Sequence, residues 1–154
     1  MIPLQFKTLE NHDGEIALPS YETEGSAGMD IRACLDPADR QQGIALPQLY
    51  RALIPTGLAV AIPEDHEIQV RPRSGLAARH GVTLINTPGT IDSDYRGEIG
   101  VLMINFGAET YYVQHGERIA QLVLAPVTRA TPLRVEALAP TTRGAGGFGS
   151  TGQG

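Results

Sequence analysis

Apolar residues recur along this chain in short runs with a period of two. Met29, Ile31 and Ala33 alternate with Asp30 and Arg32, and Ile68 and Val70 alternate with Glu67, Gln69 and Arg71. Successive side chains of a strand point to opposite faces, so such runs predict strands with one buried face. Further strands are predicted over Leu4 to Leu9, Ala52 to Ile54, Leu58 to Ile62, Val82 to Ile85, Ile99 to Ile104, Tyr111 to Val113, Ile119 to Leu124 and Leu133 to Glu136. About ten short strands separated by turn signals, with no long helical period competing, predict an all-β fold: a jelly-roll-like barrel or sandwich. One short helix interrupts the pattern, from Ser74 or Gly75 through Arg79, because Ser74 can cap its amino end and Leu76-Ala77-Ala78 favour helix.

Composition narrows this picture. Aromatic residues make up only 5% of the chain and Trp is absent, so Leu, Ile, Val and Ala must fill the core. Eighteen glycines and eleven prolines supply the turns that many short strands require. A length of 154 residues with 42% hydrophobic content fits one domain, expected over residues 1–142. The remainder, 143–154, holds six glycines and little apolar surface, which predicts a flexible arm. Arg143 and Phe148 stand out within it, because a mere spacer needs neither.

The formal net charge of −5 argues against a non-specific hold on nucleic acid, which rests on neutralising many phosphates. An anionic ligand would need a local cluster of positive groups. Lys7 is the only lysine beside eleven arginines; this bias suits bidentate phosphate binding and equally a genomic codon preference. Cys34 is alone, so no disulfide can form within the chain, and a small core residue is its ordinary role. No run of eighteen apolar residues predicts a membrane span, and residues 1–7 read as neither signal peptide nor anchor. His12, His66, His80 and His115 are scattered without Cys partners, which is not a zinc pattern.

Four segments are loaded with polar chemistry. In Arg71-Pro72-Arg73-Ser74-Gly75-Leu76, guanidinium, hydroxyl and a helix start converge as a polyanion site would require, though a surface turn would use the same residues. The segment Asn86 to Gly97 links two apolar strands; a β-hairpin there would present backbone donors and acceptors beside Asn86, Asp92 and Tyr95. Backbone edges can read a nucleobase and a carboxylate can orient water, whereas two acids in a turn are also ordinary solvated turn formers. Gly116-Glu117-Arg118-Ile119-Ala120-Gln121 reads as a turn leading into a strand with one polar side chain outward. In Arg143 to Gly152, glycines would let the backbone approach phosphates and Phe148 could lie on a flat base, but no Walker ending follows.

Taken in order, Ala27 to Ala33, Arg71 to Ala77, Gly81 to Gly97, Gly116 to Gln121 and Arg143 to Gly152 resemble the five motifs of the homotrimeric dUTPase family. That resemblance implies hydrolysis of dUTP to dUMP and pyrophosphate, which limits uracil in DNA and supplies dUMP for thymidylate synthesis. It implies Mg2+ as cofactor, cytoplasmic localisation, and three chains that build active sites at their interfaces, without stable nucleic-acid or membrane binding. By the same resemblance Asp92 is the general base for water attack on the α-phosphorus. Asn86 pairs with uracil beside backbone groups of Gly89, Thr90 and Ile91, and Tyr95 packs under the deoxyribose and excludes a 2′-hydroxyl. Arg73, Ser74, Gly75 and Gln121 hold phosphates, and Asp30 stands near the metal through water. Arg143, Phe148, Gly149, Ser150 and Thr151 belong to the tail that closes over substrate. Met29 departs from the family, where an aromatic is common, and Thr87-Pro88 is a stiffer pair than some relatives carry.

Three other readings compete. A dCTP deaminase shares the fold and part of the third motif but generally lacks the Arg and Phe glycine tail. A nucleotide-sensing module would keep the pocket without turnover, and a plain structural jelly roll would leave the tail unexplained.

Overall fold

The computed structural model describes residues 2–147. Eleven strands and one helix follow in the order β1 (Gln5–Thr8), β2 (Met29–Arg32), β3 (Ile44–Leu46), β4 (Arg51–Pro55), β5 (Leu58–Ala61), β6 (His66–Arg71), α1 (Ser74–His80), β7 (Val82–Leu84), β8 (Gly89–Ile91), β9 (Gly100–Asn105), β10 (Tyr111–Val113) and β11 (Arg118–Pro126). Every pairing is antiparallel. A four-stranded sheet runs β2-β11-β6-β8 and a three-stranded sheet β4-β9-β7, with the pairs β1-β5 and β10-β3 completing the architecture.

Period-two alternation explains which residues are inside. Ile31, Ile68, Val70, Ile91 and Leu122 of the four-stranded sheet are buried with Ile54, Val82, Leu84, Val101 and Met103 of the three-stranded sheet in one cluster. Leu76, the buried residue of α1, joins the same cluster. Cys34 is fully buried; it accepts from the Asp13 amide at 3.2 Å and donates to the Asn11 carbonyl at 3.4 Å, so it acts as a core residue.

Several expectations need correction. Ser74 does not cap the helix: Arg73 is the N-cap residue, in extended conformation and without a side-chain cap, and Ser74 already lies inside α1. The helix ends at Gly81, whose φ of 68° lets its amide reach the Ala77 carbonyl at 3.0 Å, a left-handed close that favours glycine. Leu133 to Glu136 is not a strand, and Leu133 is 80% exposed. Alternation there has no strand to pair with among the described residues, and a strand exists only through its ladder. Conversely, β3 and β8 are strands that three-residue runs did not announce. Among the described residues no helix is long and apolar enough to cross a membrane.

Candidate active site

β8 carries the first group of candidate residues. Its ladder to β6 pairs Val70 with Gly89, Gln69 with Thr90 and Ile68 with Ile91. Gly89 and Ile91 therefore face the core, while Thr90 and the following Asp92 face outward and are exposed. The two apolar strands that the segment Asn86 to Gly97 links, β7 and β9, pair antiparallel, as a hairpin between them requires, but the link itself contains β8, which leaves their sheet. β7 pairs with β9 in the three-stranded sheet and β8 with β6 in the other, so residues 85–88 form an arch from one sheet to the next. At the end of that arch Asn86 lies against Gly89, where a Cβ would stand 3.2 Å from both Asn86 Nδ2 and Val70 Cβ. Glycine thus lets the strand edge approach Val70 with the Asn86 amide above it.

Beyond β8 the chain turns, with the Tyr95 amide donating to the Asp92 carbonyl at 3.1 Å. Thr90, Ile91, Asp92 and Tyr95 then line a cavity of about 190 Å³ together with Glu98, Ile99 and Gly100. Four of the sequence-predicted residues meet here. On its other side Asp92 borders a recess shared with Glu64, Asp65, Glu67 and Asp94, against His66 and Arg129. Carboxylates dominate that surface, so this end of the chain cannot by itself hold a polyanion.

The positive groups are gathered elsewhere. Asp30 of β2 is only 6% exposed. Its Oδ2 accepts from Arg118 Nη1 at 3.0 Å, and its Oδ1 lies 3.4 Å from both Gln121 Nε2 and Arg73 Nε. Arg73 Nη1 also donates to the Arg118 carbonyl at 3.1 Å, and Arg118 reaches Glu22 at 3.0 Å. A β-bulge between Arg118 and Ala120 creates this cluster: Arg118 pairs with Arg32 and Ala120 with Ile31, so Ile119 is the extra residue. Without the bulge Ile119 would oppose Arg32; with it, Arg118 shares the face of Asp30 and Gln121. Ser74 and Gly75 open α1 next to Arg73, and the first helical N–H groups have no intrahelical acceptor. Arg79 curls back over this turn, its Nη2 3.1 Å from where a Gly75 Cβ would be.

Asp30 is thus a buried carboxylate compensated by guanidinium groups. Asp30→Ala is expected to lower unfolding free energy by about 3 kcal/mol, the low end for breaking a buried ion pair, because Arg73 and Arg118 can be partly rehydrated. Urea denaturation measures it; a loss below about 1 kcal/mol would mean the cluster does not hold the fold.

Arg118 and Glu98 were not among the residues singled out from sequence. A charged residue directly after Gly116-Glu117 was the available signal for Arg118, but the bulge that turns it inward leaves no local trace. β6 separates the two groups. Arg71 pairs with Gln121 at one end, while Ile91 pairs with Ile68 near the other, and Asp92 follows just beyond that ladder on the side of Glu67. Four residues of strand put about 13 Å between Asp92 and the Gln121 row within one chain. Arg143 donates to the Gly146 carbonyl at 2.8 Å inside its own exposed turn and belongs to neither group. Phe148, Gly149, Ser150 and Thr151 lie outside the described residues.

Residues 14–152 match the dUTPase family. The chain is 58% identical to deoxyuridine 5'-triphosphate nucleotidohydrolase of Dinoroseobacter shibae over 142 residues, 92% of each chain. It is 57% identical to the protein of the same name from Desulfotalea psychrophila over 150 residues, 97% of each. Among solved structures, Staphylococcus bacteriophage 80alpha dUTPase with dUPNHPP shares the all-β, jelly-roll-like fold at a TM-score of 0.82, 26% identity and 99% coverage of both chains. With more than half of its residues shared across nearly the full length of these bacterial proteins, the chain belongs to the dUTPase family.

Proposed function

We propose that the Asp92 cavity and the Asp30-Arg73-Arg118-Gln121 cluster are two parts of one active site, contributed by different copies of the chain in a homotrimer, and that this site hydrolyses dUTP to dUMP and pyrophosphate. The observation that carries the reading is the division of labour along β6: a carboxylate beside a small cavity at one end, guanidinium groups at the other. A nucleoside triphosphate needs both, and neighbouring copies bring them together.

In this site uracil meets Asn86 and the backbone of Gly89, Thr90 and Ile91, with the deoxyribose on Tyr95. Arg73, Ser74, Gly75 and Gln121 hold the phosphates. Asp92 takes a proton from a water molecule as its oxygen bonds to the α-phosphorus. The bond from that phosphorus to the bridging oxygen breaks, pyrophosphate leaves, and Asp92 returns its proton to solvent. Phosphoryl transfer asks for placement and charge neutralisation more than covalent help, so a positioned carboxylate suffices.

Asp30 fits an outer-shell role toward Mg2+. Its carboxylate accepts hydrogen bonds from Arg118 and Gln121 and has Arg73 beside it as an ion pair, so of its roughly four acceptor positions some stay open to a water that would bridge to the cation. Among the described residues no three His, Cys, Asp or Glu side chains are placed to hold an ion, so the triphosphate itself would carry the cation. When bound, Mg2+ supplies charge neutralisation at the phosphates. Arg143, Phe148, Gly149, Ser150 and Thr151 close over the substrate as a distinct arm, residues 143–154, against the domain of residues 1–142. The proposed place of action is the cytoplasm.

Pyrophosphate release with Mg2+ from dUTP, dTTP, dCTP and UTP tests the activity, with dUTP expected to dominate. Ammonia release from dCTP would transfer the chain to the deaminases. Sharing of the site is tested by co-assembling Asp92→Asn chains with Arg73→Ala chains. Each alone is expected to be nearly inactive, and mixtures to recover activity because some sites receive both unaltered parts. No recovery at any mixing ratio sinks the shared site.

A further inference from the structure

Tyr95 is 46% exposed, so its ring needs an anchor if it is to discriminate between sugars. Its hydroxyl donates to the Glu98 carbonyl at 2.9 Å. The ring rests on Gly97, where a Cβ would come within 2.6 Å of Tyr95 Cζ and 3.1 Å of Cε2. The backbone at residues 97–98 therefore sets where the ring lies.

That backbone is tied down from outside its own loop. Glu98 Oε1 accepts from the Thr56 amide at 3.2 Å, the Gly57 amide at 2.7 Å and Asn11 Nδ2 at 3.3 Å. The next residue is stitched to the same turn, with Thr56 Oγ1 donating to the Ile99 carbonyl at 2.6 Å and the Ile99 amide to the Leu58 carbonyl at 2.7 Å. The turn is braced in its own right. Thr56 is fully buried, and Gly57 has a φ of 65° and room for no side chain, since a Cβ would stand 2.8 Å from His12 Cα. Hydrogen bonds to an ionised carboxylate are among the strong ones, so Glu98 converts a rigid turn into a fixed carbonyl beneath Tyr95.

We infer that Glu98 is a positioning residue for sugar selection: gripped by the Thr56-Gly57 turn and Asn11, it holds the carbonyl that anchors the Tyr95 hydroxyl, and so sets how closely the ring approaches C2′ of the nucleotide. This rests on the proposed role of Tyr95 under the deoxyribose. A ribonucleotide carries one more oxygen at that carbon. A ring that cannot retreat excludes it, while a ring freed from its anchor makes room.

Steady-state kinetics with dUTP and UTP test the inference. Glu98→Ala is expected to reduce the ratio of kcat/KM for dUTP over that for UTP by at least about tenfold. The change falls on KM for dUTP and on gained UTP turnover, with kcat for dUTP within about threefold because Asp92 is untouched. Glu98→Gln keeps an acceptor oxygen and is expected to retain most of the ratio. Gly97→Ala displaces the ring from its opposite side, leaves the carboxylate alone, and is expected to lower the ratio as well.

An unchanged ratio in both Glu98→Ala and Gly97→Ala overturns the inference, whatever happens to the melting temperature. If Glu98→Ala does not fold, Gly97→Ala and Tyr95→Phe, which loses the same hydroxyl bond, decide in its place. Tyr95→Ala separates the two levels. If it leaves the ratio unchanged, Tyr95 is not the sugar platform and both readings fall; if it lowers the ratio while Glu98→Ala and Gly97→Ala do not, only the role of Glu98 falls.

Discussion

Asp92→Asn is expected to lower kcat for dUTP by about 10²- to 10⁴-fold, the usual contribution of a general base, with KM changed little. The substitution keeps the shape of the side chain and removes only its ability to take a proton. Structure makes this a clean test of chemistry. Asp92 is exposed, just beyond the β8 ladder, and its carboxylate has no ion pair or hydrogen bond among the described residues. Nothing in the fold rests on its charge, so melting should be unaltered. Paired measurements of kcat, KM and melting temperature distinguish the cases; near-normal turnover in a protein that binds dUTP normally removes Asp92 as the base.

Truncation after Pro140 is expected to abolish turnover while leaving the body of the protein folded. The first half of this expectation comes from sequence, where Arg143 and Phe148 stand among glycines that would let a backbone wrap phosphates. Ordering such an arm on substrate excludes water and adds a guanidinium where charge develops. The second half comes from structure. Leu138 is 86% exposed, and the turn at Thr141 to Gly146 satisfies its hydrogen bonds internally, with Gly144 bonded to Thr141 and Arg143 to Gly146. Among the described residues none of 141–147 is buried, so removing them takes no core residue. Unaltered kcat in the truncated protein would exclude an arm that completes the site, and loss of the cooperative melting transition would show that it holds the fold instead.

The elements read correctly from sequence are those whose burial is written in their own alternation. Ile68 and Val70 between Glu67, Gln69 and Arg71 predicted β6, and that strand, six residues long, is the one that both β8 and β11 pair with. β8 escaped notice because Gly89, Thr90 and Ile91 offer a single large apolar side chain, and its strand character comes from the β6 edge it meets. Leu133 to Glu136 shows the opposite failure, a pattern with no ladder to join. Asp30 is the most instructive residue. Its place between Met29 and Ile31 marks it as outward-facing, which it is, yet outward does not mean solvated here, because guanidinium groups from two other segments close over it.

By itself, then, the order of residues determined that this chain would be built of short strands, that a lone helix would follow Arg73, and that five ordered motifs would mark its family. It did so because period, helix propensity and motif are local properties. Tertiary structure decided that the arch at residues 85–88 joins two sheets, that a bulge at Ile119 turns Arg118 onto Asp30, and that Gln121 pairs at one end of β6 while Asp92 follows a strand that pairs near the other. Each of those outcomes depends on which distant segment supplies the pairing edge or the compensating charge, and no local pattern in the chain encodes the identity of a remote partner.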